Sequence, residues 1–261
     1  MDRHELGKLL ETFRSGETSL DEVIHRLSLG SVAELGFAHV DLARSVRCGF
    51  PEVIFCQGKK AEWVEGVMRR IIEAGQDCLA TRLSIEQAEF LRARFPAAEY
   101  NSVARTLWQA RVDRPAPVGK LLIITAGTSD LPVAEEARVT ATAIGCEVEL
   151  IADVGVAGLH RLLRHSKKFS QADAIVVVAG MEGALPSVVG GLVACPVIAV
   201  PTSIGYGANL QGVTTLMAML TSCASNVAVV NIDSGFNGGY VGALIARRAG
   251  QARQASDESC E

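Results

Sequence analysis

The chain has 261 residues, room for one large or two ordinary domains, and a formal net charge of −4. That balance leaves no basic footprint for nucleic acid, and the apolar runs are short and broken by Gly or Pro, so no membrane span is expected. Seven cysteines (48, 56, 78, 146, 195, 223, 260) form no CxxC pair, and the charged, amphipathic start MDRHELGKLLETF is unlike a signal peptide, so reduced thiols in the cytoplasm are expected rather than a disulfide frame or zinc site.

Taken in order, residues 2–14 and 19–29 read as two short helices, the second opened by Thr18-Ser19-Leu20-Asp21. Phe37 to Phe50 has no clear period. Pro51 to Cys56 reads as a strand, and Lys59 to Ala74 as a helix with Trp63, Val64, Val67 and Ile71 on one side. Asp77 to Arg82 is a second strand, Ser84 to Phe95 a helix, and Glu99 to Ala110 a third strand. Residues 1–111 thus make a smaller α/β domain with Trp63 and Trp108 in its core, and the Pro-containing stretch 112–119 is a linker.

Residues 120–249 carry a different pattern. Leu121-Leu122-Ile123-Ile124 is a run suited to a strand buried on both faces. It breaks at Ala126-Gly127-Thr128-Ser129-Asp130 and resumes as helix-forming Val133-Ala134-Glu135-Glu136-Ala137, with Asp130 able to cap the helix and Pro132 suited to its first turn. Such a strand–loop–helix can seat a phosphate on backbone N–H groups, although it matches neither Gly-rich phosphate-binding fingerprint and is also an ordinary βα turn. Four further runs, at Cys146–Ala152, Ala174–Val178, Pro196–Val200 and Asn226–Val230, also lead into Gly- or Ser-containing loops. Alternating with stretches of helical length, the five imply a doubly wound parallel sheet whose ligand site lies at the carboxyl ends of the strands. After Ile245 the composition turns polar, and residues 250–261 are expected to be a frayed tail.

The strings RCGFPEVIFCQGK, TAGTSDLPVAEEA, DVGVAGLHRL, AGMEGALPSVVGGL, PVIAVPTSIGYG and TSCASNVAVVNIDSGFN together resemble the LarB family, over nearly the whole chain. LarB enzymes are carboxylase/hydrolases that begin nickel-pincer nucleotide cofactor synthesis, and the C-terminal half is similar to the PurE family of aminoimidazole ribonucleotide (AIR) carboxylases and mutases. Against the PurE pattern, the GSxSD loop becomes Ala126-Gly127-Thr128-Ser129-Asp130, keeping Ser129 and Asp130. The AHLPG segment becomes Ala184-Leu185-Pro186-Ser187 without its His; Glu182 stands two residues upstream, and Cys223 occupies a loop that in PurE contains Pro.

The LarB resemblance implies nicotinic acid adenine dinucleotide as substrate, CO2 or bicarbonate as carbon source, AMP as a product, and a homo-oligomer, an octamer in PurE relatives. It assigns catalysis to Cys223 and Glu182, expected from neighbouring strand-end loops, with substrate contacts at Gly127, Thr128, Ser129, Asp130, Gly155, Gly180, Met181, Thr202 and Ser203. No tightly bound cofactor is implied; the metal that assists anhydride cleavage stays open, with Mg2+ the candidate. Free cysteines are most often simply buried and an isolated Glu most often solvated, so both catalytic assignments lean on the resemblance. Cys48, Cys56, Cys78, Cys146 and Cys195 are read as structural and His160 as packing or capping, while Asp153 and Asp233 could serve a metal or a ribose. Two further readings stay open: a PurE-like carboxylase or mutase, and a nucleotide sensor that lost the chemistry.

Overall fold

The computed structural model describes residues 3–29 and 32–258, so Asp2 and Cys260 lie outside the described residues. The chain divides into two compact units, one running to Glu99 and adding Leu107–Asp113, the other comprising Tyr100–Thr106 and everything from Arg114 onward.

The first unit begins with helices α1 (Arg3–Arg14) and α2 (Leu20–Leu29). Ser19 caps α2 by accepting the Glu22 N–H at 3.2 Å. Strands β1 (Val32–Glu34) and β2 (His39–Asp41) pair antiparallel and lead to the short helix α3 (Arg44–Cys48). Then follow β3 (Val53–Phe55), α4 (Ala61–Glu73), β4 (Cys78–Thr81), α5 (Ile85–Arg94), β5 (Glu99–Asn101) and β6 (Thr106–Gln109). β3 and β4 are parallel, β6 returns antiparallel to β4, and the sheet order is β3-β4-β6-β5. The expected single strand over Glu99–Ala110 is therefore two, because the Asn101 side chain accepts the N–H groups of Val103 (3.0 Å) and Ala104 (2.9 Å) and turns the chain. Helix α4 buries Val64, Val67, Met68 and Ile71; Trp63, expected in the core, is 40% exposed and stacks on Phe37.

The second unit runs β7 (Lys120–Thr125), α6 (Leu131–Ile144), β8 (Glu147–Ile151), α7 (Leu159–Leu163), α8 (Ser166–Phe169), β9 (Ala174–Ala179), α9 (Leu185–Gly190), β10 (Val197–Pro201), α10 (Val213–Leu220), β11 (Val227–Val229) and α11 (Gly235–Glu258). Its five strands lie in the order β11-β10-β9-β7-β8 with every pairing parallel. The register Leu122↔Ile175↔Val197 and Ile124↔Val177↔Ala199 lays these side chains in rows on one face, against Leu162, Phe169, Leu185, Val189 and Met219. α6 and α11 cover the other face, and α11 comes so close that a Cβ on Gly239 would stand 2.3 Å from the Ala137 carbonyl. The chain moves from β7 outward to β8, then crosses back to β9, so the strand order reverses between β7 and β9. That reversal opens a crevice at the carboxyl edge.

Ahead of α10 the chain is kinked: Leu210 and Gln211 are left-handed, and α10 starts only after Gly212, whose N–H donates to the Asn209 side chain at 2.7 Å. The expected frayed tail is helical to Glu258, since α11 is anchored over the sheet and Arg253 grips both carboxylate oxygens of Asp173, just before β9. Extending an established helix costs far less than starting one.

Candidate active site

A cavity of about 480 Å3 opens at the carboxyl edge, lined from the loops after β7, β8, β9 and β10. It falls within the usual range for small-ligand sites. Among the described residues, Asp130, Arg161 and Glu182 are the charged side chains that line it, and no His does. Strand order fixes their places: Arg161 belongs to the β8 side, Asp130 and Ser129 to the β7 loop, Glu182 to the β9 loop, and Ile204, Gly205 and Tyr206 to the β10 side.

Asp130 is buried, at 3% exposure. Its carboxylate does not cap α6. Instead one oxygen accepts the Gly127 N–H at 2.9 Å and the other the Thr202 hydroxyl at 2.8 Å. Burial raises its pKa above the ordinary aspartate value; the two donors work against that rise, and the nearby Asp233 adds to it. The Gly127 N–H is thus taken, which leaves Ser129 of this loop facing the cavity; Thr128, expected as a substrate contact, is not among its lining residues. Thr202 acts on the site through Asp130 rather than lining the cavity, and Ser203 donates its N–H to Asp233 at 2.8 Å.

Glu182 is exposed at the rim, on a tightly held turn. Met181 before it is left-handed (φ 52°), a conformation that costs a non-glycine residue free energy and persists only where the surroundings enforce it. Its N–H donates to the Ile204 carbonyl at 2.8 Å, and its own carbonyl accepts from the Asn209 amide at 3.0 Å and from the Thr215 hydroxyl. A Cβ at Gly180 would lie 2.3 Å from the Ile204 carbonyl oxygen, so glycine is required where the β9 and β10 loops meet.

Cys223 is not beside Glu182 within one chain. It follows α10, and α10 carries the chain from the carboxyl edge back to the amino edge, about 12 Å over its 8 residues. The Asn226 amide donates to the carbonyls of Val193 and Cys195, which precede β10, while Ser222 hydrogen-bonds Ser187 of α9 at 2.8 Å. Cys223 is exposed there and does not line the cavity. The expectation of neighbouring strand-end loops fails because a residue that ends a βαβ helix lies across the sheet from one that ends a strand.

Of the thiols read as structural, Cys56, Cys78 and Cys146 are buried, and burial pushes Cys56 up to about 12 and Cys146 to about 11. Cys48 is exposed instead. His160 is also exposed on α7, not packed. Its neighbour Arg161 is the residue that sequence reasoning missed; an Asp just after β8 and an Arg 8 residues on, in α7, opposite in charge, are the signal that could have found it. No group of three or more His, Cys, Asp or Glu side chains that could hold a metal occurs among the described residues. Asp130 is engaged by its two donors and Asp153 by Arg161, so these residues do not fit a resident Mg2+ site.

Fold and cavity together define a doubly wound, parallel-sheet α/β unit with a ligand-sized cavity at its strand switch point. A family profile described as AIR carboxylase matches residues 120–257, and one described as LarB/PurE-like N-terminal domain matches residues 32–111. The chain belongs to the AIR carboxylase family, in the form that carries the LarB/PurE-like N-terminal domain. It is also similar to the uncharacterized protein MJ0165 of Methanocaldococcus jannaschii, at 40% identity over 251 residues, covering 93% of this chain and 97% of the relative. Among the described residues no helix is long and apolar enough to cross a membrane.

Proposed function

We propose that this carboxylase-family enzyme carboxylates C5 of the pyridinium ring of nicotinic acid adenine dinucleotide, using CO2 or bicarbonate, and cleaves the phosphoanhydride. The products are AMP and pyridinium-3,5-biscarboxylic acid mononucleotide, on the way to a nickel-pincer cofactor. The observation that carries this reading is a carboxylate, Glu182, on a constrained turn at the rim of a cavity that, among the described residues, no imidazole lines. An electron-rich aminoimidazole attacks CO2 with little help, whereas a pyridinium must first be made nucleophilic. A thiolate adding to C4 neutralises the ring and leaves an enamine; C5 forms the new bond to CO2. Glu182 then takes the C5 proton as the C4–S bond breaks and aromaticity returns.

Cys223 supplies the thiolate in this scheme, and it enters the cavity from a second copy of the chain. α9 buries Leu185, Pro186 and Val189 in its own core, while Leu192 just after it is left exposed. Among the exposed apolar side chains, Leu210 (66% exposed), Met217 (60%) and Leu220 (59%) lie on and before α10, close in sequence to Cys223. A homo-oligomer, by resemblance an octamer, covers that face.

The test is incubation with nicotinic acid adenine dinucleotide and 13C-bicarbonate, with mass spectrometry of the products, beside a parallel run on aminoimidazole ribonucleotide. Labelled biscarboxylated mononucleotide plus AMP supports the reading. Turnover of the aminoimidazole alone would replace it with the PurE-like activity.

A further inference from the structure

Tyr206 has no part in the chemistry above, yet among the described residues it is the aromatic side chain that lines the cavity. It is also 81% exposed, so its ring stands at the mouth. We infer that Tyr206 is a specificity-determining residue that selects a cationic aromatic ring by presenting its π face to it. This rests on the pyridinium reading of the cavity.

An aromatic ring left in water forgoes the burial that ordinarily stabilises it, and what it still offers is an electron-rich face. The backbone beneath this ring is nevertheless built with care for position. A Cβ at Gly205 would stand 2.5 Å from Asn209 Cγ, and Gly207 is left-handed (φ 60°), so Tyr206 is flanked by two positions that favour glycine. The Asn209 N–H donates to the Tyr206 carbonyl at 3.3 Å. The side-chain amide of the same Asn209 donates to the Met181 carbonyl at 3.0 Å, next to Glu182. The Met181 N–H in turn donates to the Ile204 carbonyl at 2.8 Å. Ring and carboxylate are thus stitched into one frame through Asn209.

Strand order places these two groups side by side. Glu182 follows β9 and Tyr206 follows β10, its hydrogen-bonded neighbour, one strand spacing of about 5 Å away. A carboxylate and a π face both favour positive charge. A pyridinium gains from both, whereas an aminoimidazole ring, neutral and electron-rich, gains from neither. Once the thiolate has added, the ring is neutral and the attraction is gone. Tyr206 therefore acts on capture of the substrate and not on formation of the carbon–carbon bond.

The experiment is calorimetric titration of the full-length chain carrying Cys223→Ser, so that no ring–thiol adduct forms, with NAD and with NADH. Their rings differ by one hydride and by the positive charge. This parent is expected to bind NAD at least about tenfold more tightly than NADH. Adding Tyr206→Leu, which keeps bulk and loses the π face, should cut that preference about tenfold by weakening NAD alone. Tyr206→Phe keeps the face and should keep the preference. Unchanged NADH binding shows that each variant is folded. A Tyr206→Leu chain that retains the parent's preference, or loses both nucleotides equally, overturns this inference and leaves the pyridinium reading standing. A Tyr206→Phe chain that falls as far as Tyr206→Leu does the same, by assigning the effect to the hydroxyl. A parent that binds neither nucleotide, or binds NAD no more tightly than NADH, refutes both.

Discussion

Two aspartates at opposite edges of the parallel sheet are held in opposite ways. At the amino edge, Asp173 receives the guanidinium of Arg253 on both oxygens and the Lys120 N–H at 2.8 Å, and these partners, Arg253 first, draw its pKa below the ordinary value. At the carboxyl edge, Asp130 is more deeply buried, is given a hydroxyl and one N–H, and has its pKa raised, mainly by burial. One edge spends its electrostatics on holding the fold together. The other keeps a buried carboxylate with no cation among its two donors, a guanidinium held by Asp153 and a rim carboxylate beside a cavity, the kind of grouping that marks a candidate functional site.

The largest effect expected from breaking this contrast involves the residue on the wrong edge. Cys223→Ser should reduce carboxylation by at least about a thousandfold, since a hydroxyl is far harder to ionise than a thiol near neutral pH. It should still bind the dinucleotide. If a second copy brings Cys223 to the cavity, mixing Cys223→Ser with Glu182→Gln chains and reassembling them should restore activity that neither variant has alone. Near wild-type carboxylation by Cys223→Ser would leave the covalent scheme without support.

Glu182→Gln comes next, with a loss on the order of 10²–10⁴-fold in turnover, the usual worth of a placed proton acceptor. Substrate affinity, measured by calorimetry, should hardly change, because the isosteric amide leaves the Met181 turn intact.

The two aspartates sharpen the comparison through stability. Asp173→Asn should cost about 1–2 kcal/mol at pH 7, at the lower end for charge-assisted bonds because Arg253 is half exposed and water competes for it. Its folded pKa is lowered, so this contribution is present above the unfolded aspartate value of about 4 and lost as pH falls through the folded value. Asp130 has the reverse sign. Its raised pKa favours folding below the ordinary aspartate value, and that contribution is lost as pH rises through the folded value. Asp130→Asn should therefore be neutral or stabilising by up to about 1 kcal/mol at pH 7, with a flatter profile across the mildly acidic range. Thermal denaturation from pH 3 to 8 checks both; a destabilised Asp130→Asn at pH 7 would count against an unfavourable buried charge.

Much of this was legible in the residues. The strands at Leu121–Ile124, Ala174–Val178 and Pro196–Val200 are continuous β-branched and Leu-rich runs, and the structure buries β9 and β10 on both faces. Ser129, Asp130, Gly155, Gly180, Met181 and Glu182 do gather at one cavity, since loops that follow parallel strands must share an edge. What stayed hidden depends on long-range geometry. Asp130 looks like a helix cap until Thr202, 72 residues away, claims its carboxylate. Cys223 looks adjacent to Glu182 until a helix is laid between them. The polar composition after Ile245 carries no sign that Asp173, 80 residues upstream, waits for Arg253.

The close approach of α11 to α6 bears on how the molecule is made. Gly235 and Gly239 sit so near the Val133 and Ala137 carbonyls that no side chain fits between the two helices, and Gly242 lies against Leu121 and Val176 of the central strands. α11 is the last element of the sheet unit to be synthesised, so during translation the face carrying Leu121, Val176 and Val200 waits half-covered until it arrives. A nascent chain stalled before residue 235 would expose that face to chaperones and to other chains. Protection of the central strands against hydrogen exchange should accordingly appear only once Gly235–Ala246 has emerged.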